Sequence, residues 1–351
     1  MLPEGNHLPA KGNACKGPRL GRPAKGPACH KALPAKGICP CQRERLPKAA
    51  LHLVTALIYM LAAIFAQVVE KMPVKKQGKR PALRKQVASW GLPPLWVPIV
   101  VGCLCATAAK DLHGVEIFAG AKAVANGFHD AGLHCATIEL NDGEDITTTA
   151  GLKLTISYIC RCKEKALVWL GTPCSSWIFV GRSNAERYVW WPAGNTKKPY
   201  TRAHNNMAEI SANLAWLAFC LGLYVMIEQP LTSCLFDYGP VFQKTFRMGL
   251  QRIAVHLDGF GAESQKPLQL HSNVPWLEEL RRSSQWRHQF ASPSVTLTTQ
   301  KENQYGVQVV TGKRAAMSDS SAYPAEFGQV VGRFHAQLVK PQPPLLSLMD
   351  D

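Results

Sequence analysis

Val115-Glu-Ile-Phe-Ala-Gly120-Ala-Lys-Ala-Val-Ala-Asn-Gly127-Phe-His-Asp-Ala-Gly132-Leu133 is the stretch that decides how this chain folds. Val115 to Phe118 is a short apolar strand, Ala119-Gly120 turns tightly, and the small residues that follow open a helix. A strand that turns at glycine into a helix leaves backbone N–H groups unpaired beside a crevice, where a nucleotide-like ligand is held. Nineteen residues after Gly120, a second apolar stretch, Cys135 to Ile138, ends at Glu139. A βαβ unit places an acid on a ribose hydroxyl after about 20 residues, so Glu139 is a candidate for that role. Lys122 stands where a glycine-rich loop would continue.

Working outward, apolar runs recur at Ala166–Leu170, Tyr224–Ile227 and Ile253–Leu257, with helical stretches between them, the clearest being Asn206 to Leu223. Buried runs alternating with helices predict an α/β fold with a doubly wound, mostly parallel sheet over residues 112–271. Residues 272–320 break the alternation, are polar, and carry Trp276, Trp286 and a Thr-rich stretch, which suggests a short inserted subdomain. The chain then returns to the α/β pattern at 321–340 before a tail at 341–351.

The charge is uneven. Residues 1–90 hold 17 Lys/Arg against three acids, a net +14, whereas the other 261 residues hold 23 basic and 21 acidic side chains. The basicity belongs to an arm, which suits either nucleic acid or an anionic membrane surface, or is a solvated tail. In residues 1–48, Pro-Ala-Lys-Gly occurs three times with almost no large apolar residue, a composition that predicts disorder. Residues 49–69 form an uncharged apolar run of 21, long enough for a membrane span, and the alternative is a buried or amphipathic helix. A second run, Pro94 to Ala109, is shorter and is interrupted by Pro98 and Gly102. Twelve scattered cysteines, many in apolar runs, do not resemble a disulfide framework and point to a reducing compartment. Those in the arm (Cys15, Cys29, Cys39, Cys41) lack the paired spacing of structural zinc sites, so no metal is expected.

Two strand ends carry chemistry. Ala166–Leu170 runs into Gly171-Thr-Pro173-Cys174, and Tyr224–Ile227 into Glu228-Gln-Pro230. In doubly wound folds the carboxyl ends of the strands face the ligand crevice, so Gly120, Glu139, Cys174 and Glu228 should converge there. A cysteine held after a proline is placed like a nucleophile, with the glutamate as its acid/base partner.

These features, in this order, resemble the cytosine-5 methyltransferases, which use S-adenosylmethionine on DNA or RNA. The resemblance covers residues 112–338. Phe118-Ala-Gly120 with Gly127-Phe128 matches the spacing of the family's cofactor loop, with Lys122 and Ala123 replacing two glycines. By this resemblance Phe118, Gly120, Glu139, Asp145 and Pro173 line the cofactor site, Glu139 on the ribose and Asp145 near the adenine. Cys174 would be the nucleophile and Glu228 the group that contacts the base, and Phe327-Gly-Gln-Val-Val331 would close the cofactor side. The family's Gln-x-Arg motif reads Gln265-Lys-Pro267 here, without the arginine. Arg161, Arg182 and Arg187 lie near Cys174 in the chain.

The resemblance implies a Rossmann-like methyltransferase with S-adenosylmethionine as cofactor, nucleic acid as partner (DNA over RNA) and a nuclear address, with membrane association through 49–69 as the alternative. A catalytically inactive methyltransferase-fold module that binds nucleic acid is the competing expectation. A nicotinamide oxidoreductase would account for the first loop and Glu139 but not for the Pro-Cys and Glu-Gln-Pro strand ends. If the arm binds phosphates, released counterions make affinity fall steeply with salt, and deleting residues 1–48 should flatten that dependence. An unchanged slope of log Kd against log salt in the truncated protein would refute the assignment.

Overall fold

In β1 (Leu112–Ile117) every residue but His113 is buried. Continuous burial is what a strand shows when helices cover both faces of a parallel sheet. Val115 and Ile117 enter one helical layer, whereas Gly114 lies against Phe128 and Glu116 against Ala125 in the other. The computed structural model describes residues 80–107, 109–292, 294–305 and 308–340. The arm 1–48, the apolar run 49–69 and the tail 341–351 lie outside the described residues, as do the expectations made for them.

The remaining strands of the main sheet are β2 (Cys135–Ile138), β3 (Cys162–Leu170), β4 (Tyr224–Pro230), β5 (Gln251–His256) and β6 (Pro267–Ser272). Their spatial order is β2-β1-β3-β4-β6-β5. The first four run parallel, and β6 lies antiparallel to both β4 and β5. The order reverses at β1, with β2 on one side and β3 on the other, so the crevice opens at the carboxyl ends of β1 and β3. Among the described residues this is an α/β fold with a mainly parallel six-stranded sheet, compatible with a Rossmann-like architecture.

The helices are α1 (Arg80–Ser89), α2 (Trp96–Ala106), α3 (Ala123–Asp130), α4 (Thr149–Cys160), α5 (Pro199–Cys220), α6 (Gly239–Arg247), α7 (Leu277–His288), α8 (Arg314–Asp319) and α9 (Ala325–Val339). On one face of the sheet, α3, α7 and α9 bury Val124, Phe128, Leu280, Phe327 and Val331. On the other, α1, α2, α4, α5 and α6 bury Val87, Val100, Ile156, Leu214 and Val241. The apolar run at Pro94–Ala109 is helix α2, with Trp96, Val97, Val100 and Cys103 in the core. No helix among the described residues is long and apolar enough to cross a membrane. Within 272–320, α7 packs on β5, and β7 (Thr298–Glu302) pairs with β8 (Gln308–Gly312) as a separate two-stranded sheet.

Three glycines fix how α9 meets α3. A Cβ on Gly127 would lie 1.9 Å from the Gly328 oxygen, one on Gly328 1.9 Å from the Ala123 oxygen, and one on Gly332 2.0 Å from the Gly127 oxygen. The two backbones touch, and no flexible side chain is available to give way. Gly127→Ala should therefore lower stability by about 1–3 kcal/mol through overpacking. Urea unfolding measures this, and an unchanged midpoint would show that the crossing is looser than the geometry requires.

Candidate functional site

The turn after β1 is strained where the sequence lacks glycine. Phe118 (φ 60°) and Lys122 (φ 58°) both take left-handed backbone, as does Gly120 (φ 50°) between them. Each non-glycine residue there costs on the order of 1–2 kcal/mol, offset by surrounding contacts. The Phe118 and Ala119 N–H groups donate to the Ile138 carbonyl at 2.9 and 3.2 Å. The Lys122 ammonium is drawn to Asp142 at 2.7 Å.

Glu139, at the end of β2, reaches this turn. Its Oε2 accepts the Gly120 N–H at 2.8 Å, and its Oε1 the Asn141 N–H at 3.3 Å. Space beside Gly120 is open, with nothing within 4 Å of where a Cβ would stand. Across the crevice, the Gly171 N–H donates to the Ile117 carbonyl at 3.0 Å. Asp145 turns back on its own loop and accepts from the Thr147 N–H and hydroxyl at 2.8 and 2.7 Å. That loop leads into α4, whose first turn Thr148 caps by accepting the Gly151 N–H at 3.1 Å.

Glu116 is a site residue that sequence reasoning passed over. It is buried beneath the start of α3, where Oε2 accepts the Ala125 N–H at 2.8 Å and Oε1 has no hydrogen-bond partner. Burial pushes its carboxyl up to about 7, against the pull of the α3 N–H groups. An acid inside the run Val115–Phe118 was the available signal.

Pro173 and Cys174 follow β3, and α5 supports them from behind. The Tyr200 hydroxyl lies 3.1 Å from Ser175 Oγ, and Tyr200 packs on His204 with ring centroids 4.5 Å apart. The buried His204 faces the Pro173 backbone carbonyl, and desolvation holds its imidazole down at about 4. Gln229 secures the same loop by donating to the Thr172 carbonyl while accepting the Ser233 hydroxyl at 2.8 Å.

Cys174 is half-buried. Burial, then the nearby Glu228 carboxyl, push its thiol up to about 11, and Lys266 pulls it down. The fold therefore holds a thiol at neutral pH rather than a lowered thiolate. Arg161, Arg182 and Arg187 are engaged elsewhere. Arg161 pairs with Asp111, Arg182 lies 5.2 Å from the Phe179 ring centroid, and Arg187 is buried 3.5 Å from that of Trp177. The cation felt by both Cys174 and Glu228 is Lys266, one residue before Pro267, and its ammonium donates to the Ser320 carbonyl at 2.7 Å.

Glu228 is buried on the same sheet face as Glu116, and its carboxyl is raised by burial. The Tyr323 hydroxyl donates to its Oε2 at 2.7 Å. Tyr323 stands edge-on to Trp169 at 5.9 Å and lies 3.2 Å from where a Cβ on Gly171 would be. Nothing in the sequence marked this tyrosine, because its partner lies 95 residues away.

Two features lie apart from the crevice. A cavity of about 430 Å³ on the α6 side of the sheet is lined by Arg182, Ser233, Phe246, Arg252, Gln269 and His271. It lies on the face opposite Glu228 and holds neither Cys174 nor the Gly120 turn. His256, Asp258 and His288 place ligand atoms within 4.8 Å of one another. However, His288 Nδ1 is already 2.9 Å from both Asp258 oxygens, and the two imidazoles stack 4.1 Å apart at 18°. Near-parallel stacked rings do not aim their lone pairs at one ion, so the cluster is a hydrogen-bonded His288–Asp258 pair capped by the His256 ring.

Glu116 gives a pH test. Its folded value of about 7 lies above the ordinary 4.5, so its contribution to stability is full below 4.5 and is lost as pH rises to 7. The loss is at most on the order of 3 kcal/mol. Glu116→Gln should thus gain stability relative to wild type between these limits, and a difference that does not vary with pH would contradict the burial argument. Among known proteins, no family model matches this chain and no curated protein matches it.

Proposed function

We propose that the chain is a methyltransferase of cytosine-5 type acting on nucleic acid, with Cys174 as nucleophile. The observation that carries this is the joint placement of the Gly120 turn, Glu139, Cys174 and Glu228 around the carboxyl ends of neighbouring parallel strands. The residues present suit S-adenosylmethionine. Glu139 presents a carboxylate beside open space at Gly120, which fits ribose hydroxyls, and the glycine allows close backbone approach. Once bound, the cofactor supplies an electrophilic methyl group.

The protein's own groups do the rest. Cys174 gives up its proton to water and its sulfur bonds C6 of an extruded cytosine, shifting electron pairs toward C5 and N3. Glu228, whose carboxyl burial shifts toward its protonated form, hydrogen-bonds N3 through Oε1 while Tyr323 holds Oε2. After C5 has taken the methyl group, loss of its proton to water re-forms the C5–C6 bond and expels the Cys174 sulfur. Lys266 stabilises thiolate and carboxylate alike.

A second reading is favoured by one observation, the thiol raised to about 11 with proline in the arginine's place. It is a catalytically inactive methyltransferase-fold module that binds nucleic acid.

An oligonucleotide carrying 5-fluorocytosine separates the two, since fluorine cannot leave as the C5 proton does. The expected result is a covalent adduct that requires S-adenosylmethionine, vanishes in Cys174→Ala and is much reduced in Glu228→Gln. Its rate should rise with pH above 7, because the thiolate fraction grows about tenfold per unit below the Cys174 pKa of about 11. Glu139→Ala should weaken cofactor binding by calorimetry. If the cofactor binds but DNA and RNA of varied sequence give no adduct, the inactive module is the correct reading.

A further inference from the structure

Between Cys174 and α5 the chain builds a small rigid hairpin. Tyr188 and Trp191 exchange backbone hydrogen bonds at 3.3 and 3.0 Å, which puts Val189 and Trp190 at the tip. The tip is aromatic and in water. Trp190 is 83% exposed, and the Tyr188 ring stacks on it at 5.1 Å and 9°. Tyr188, Val189, Trp190 and Trp191 are all exposed, and a contiguous apolar patch of this kind marks a contact surface.

The hairpin's root is fixed. Arg187 is 1% exposed, and its guanidinium donates to the Pro192 carbonyl, to the Ala193 carbonyl at 3.1 Å and to Ser176 Oγ at 3.2 Å. The same guanidinium lies 3.5 Å from the ring centroid of Trp177, whose backbone N–H donates to the Cys174 carbonyl at 2.8 Å. The aromatic tip and the candidate nucleophile are therefore parts of one braced unit. The same stretch of chain is basic. Between Cys174 and His204, Arg187 is buried and Lys198 is paired with Glu186 at 2.6 Å, which leaves Arg182, Lys197 and Arg202 as the unmatched cations.

We propose that the Tyr188–Trp191 hairpin is a base-stacking platform for single-stranded nucleic acid. A rigid pair of aromatic rings takes an unpaired base on its open face without losing side-chain freedom, and Arg182, Lys197 and Arg202 of the same stretch supply positive charge for the phosphates. A duplex hides its base faces, so single strands are the form that fits. The inference rests on the nucleic-acid reading above and adds the form of the substrate and the residues that grip it.

The test uses the full chain and a fluorescent thymidine oligomer, which lacks cytosine and so does not depend on the Cys174 pocket. Trp190→Ala should weaken its binding on the order of tenfold and leave the salt slope unchanged, and Trp190→Phe should recover most of the loss. At 83% exposure the side chain supports no core, so folding is not at stake. Equal binding by Trp190→Ala overturns the proposal and leaves the methyltransferase reading intact. A loss seen with a blunt duplex but not with the single strand, or preferential binding of phosphatidylserine vesicles, also overturns it. If the wild type binds no nucleic acid, the platform falls with the substrate half of that reading, and calorimetry with S-adenosylhomocysteine then decides the cofactor half.

Discussion

The bare contact between α3 and α9 is the constraint on which the crevice depends. Gly127, Gly328 and Gly332 let two backbones meet, and only residues without a side chain permit that distance. Because the helices meet so closely, the start of α9 is delivered over β3, and Phe327 settles beside Trp169 with ring centroids 5.9 Å apart. Tyr323, just upstream, then has one place to go, against Trp169 and onto Glu228. The motifs that resemble a cofactor loop and its closing segment are thus also the two halves of one packing contact.

Strand β4 divides its labour by alternation. Glu228 faces the layer of α3, α7 and α9, and its neighbour Gln229 faces the opposite layer, with Gln269 paired beside it. Adjacent residues on a strand point to opposite faces, so Glu-Gln-Pro can offer one side chain to chemistry and the next to the loop that carries Cys174. Gln229 is fully buried and holds the Thr172 carbonyl. Gln269 is 3% exposed and donates to the carbonyls of Pro230 and Ser233 at 3.2 and 3.1 Å, so the turn after β4 is fastened to β6.

Much of this architecture was legible in the apolar runs. The five stretches read as strands are β1 to β5, with ends shifted by a few residues, and the Asn206–Leu223 stretch is the body of α5. Strand β6 escaped because Pro-Leu-Gln-Leu-His-Ser looks polar, and its Gln269 is buried only because three carbonyls receive its amide. The strand-end residues Gly120, Glu139, Cys174 and Glu228 were legible because local order along the chain places them. Tyr323, Lys266 and the orphaned oxygen of Glu116 were not, since each acquires its role from partners far away in sequence. The three arginines near Cys174 in the chain mislead for the same reason, because proximity along a loop does not set direction in space.

The reach from Glu228 to Tyr323 also orders the events of biosynthesis. Chains emerge from the ribosome N-terminal end first, and local βα units form before contacts of long sequence separation. The parallel strands β1 to β4 can therefore assemble while Glu228 still faces water, ionised and without its tyrosine. Only when α9 docks along the glycine seam does that carboxyl become enclosed, and burial then raises its affinity for a proton. The final docking step is thus linked to proton affinity at this edge, and it is favoured as pH falls.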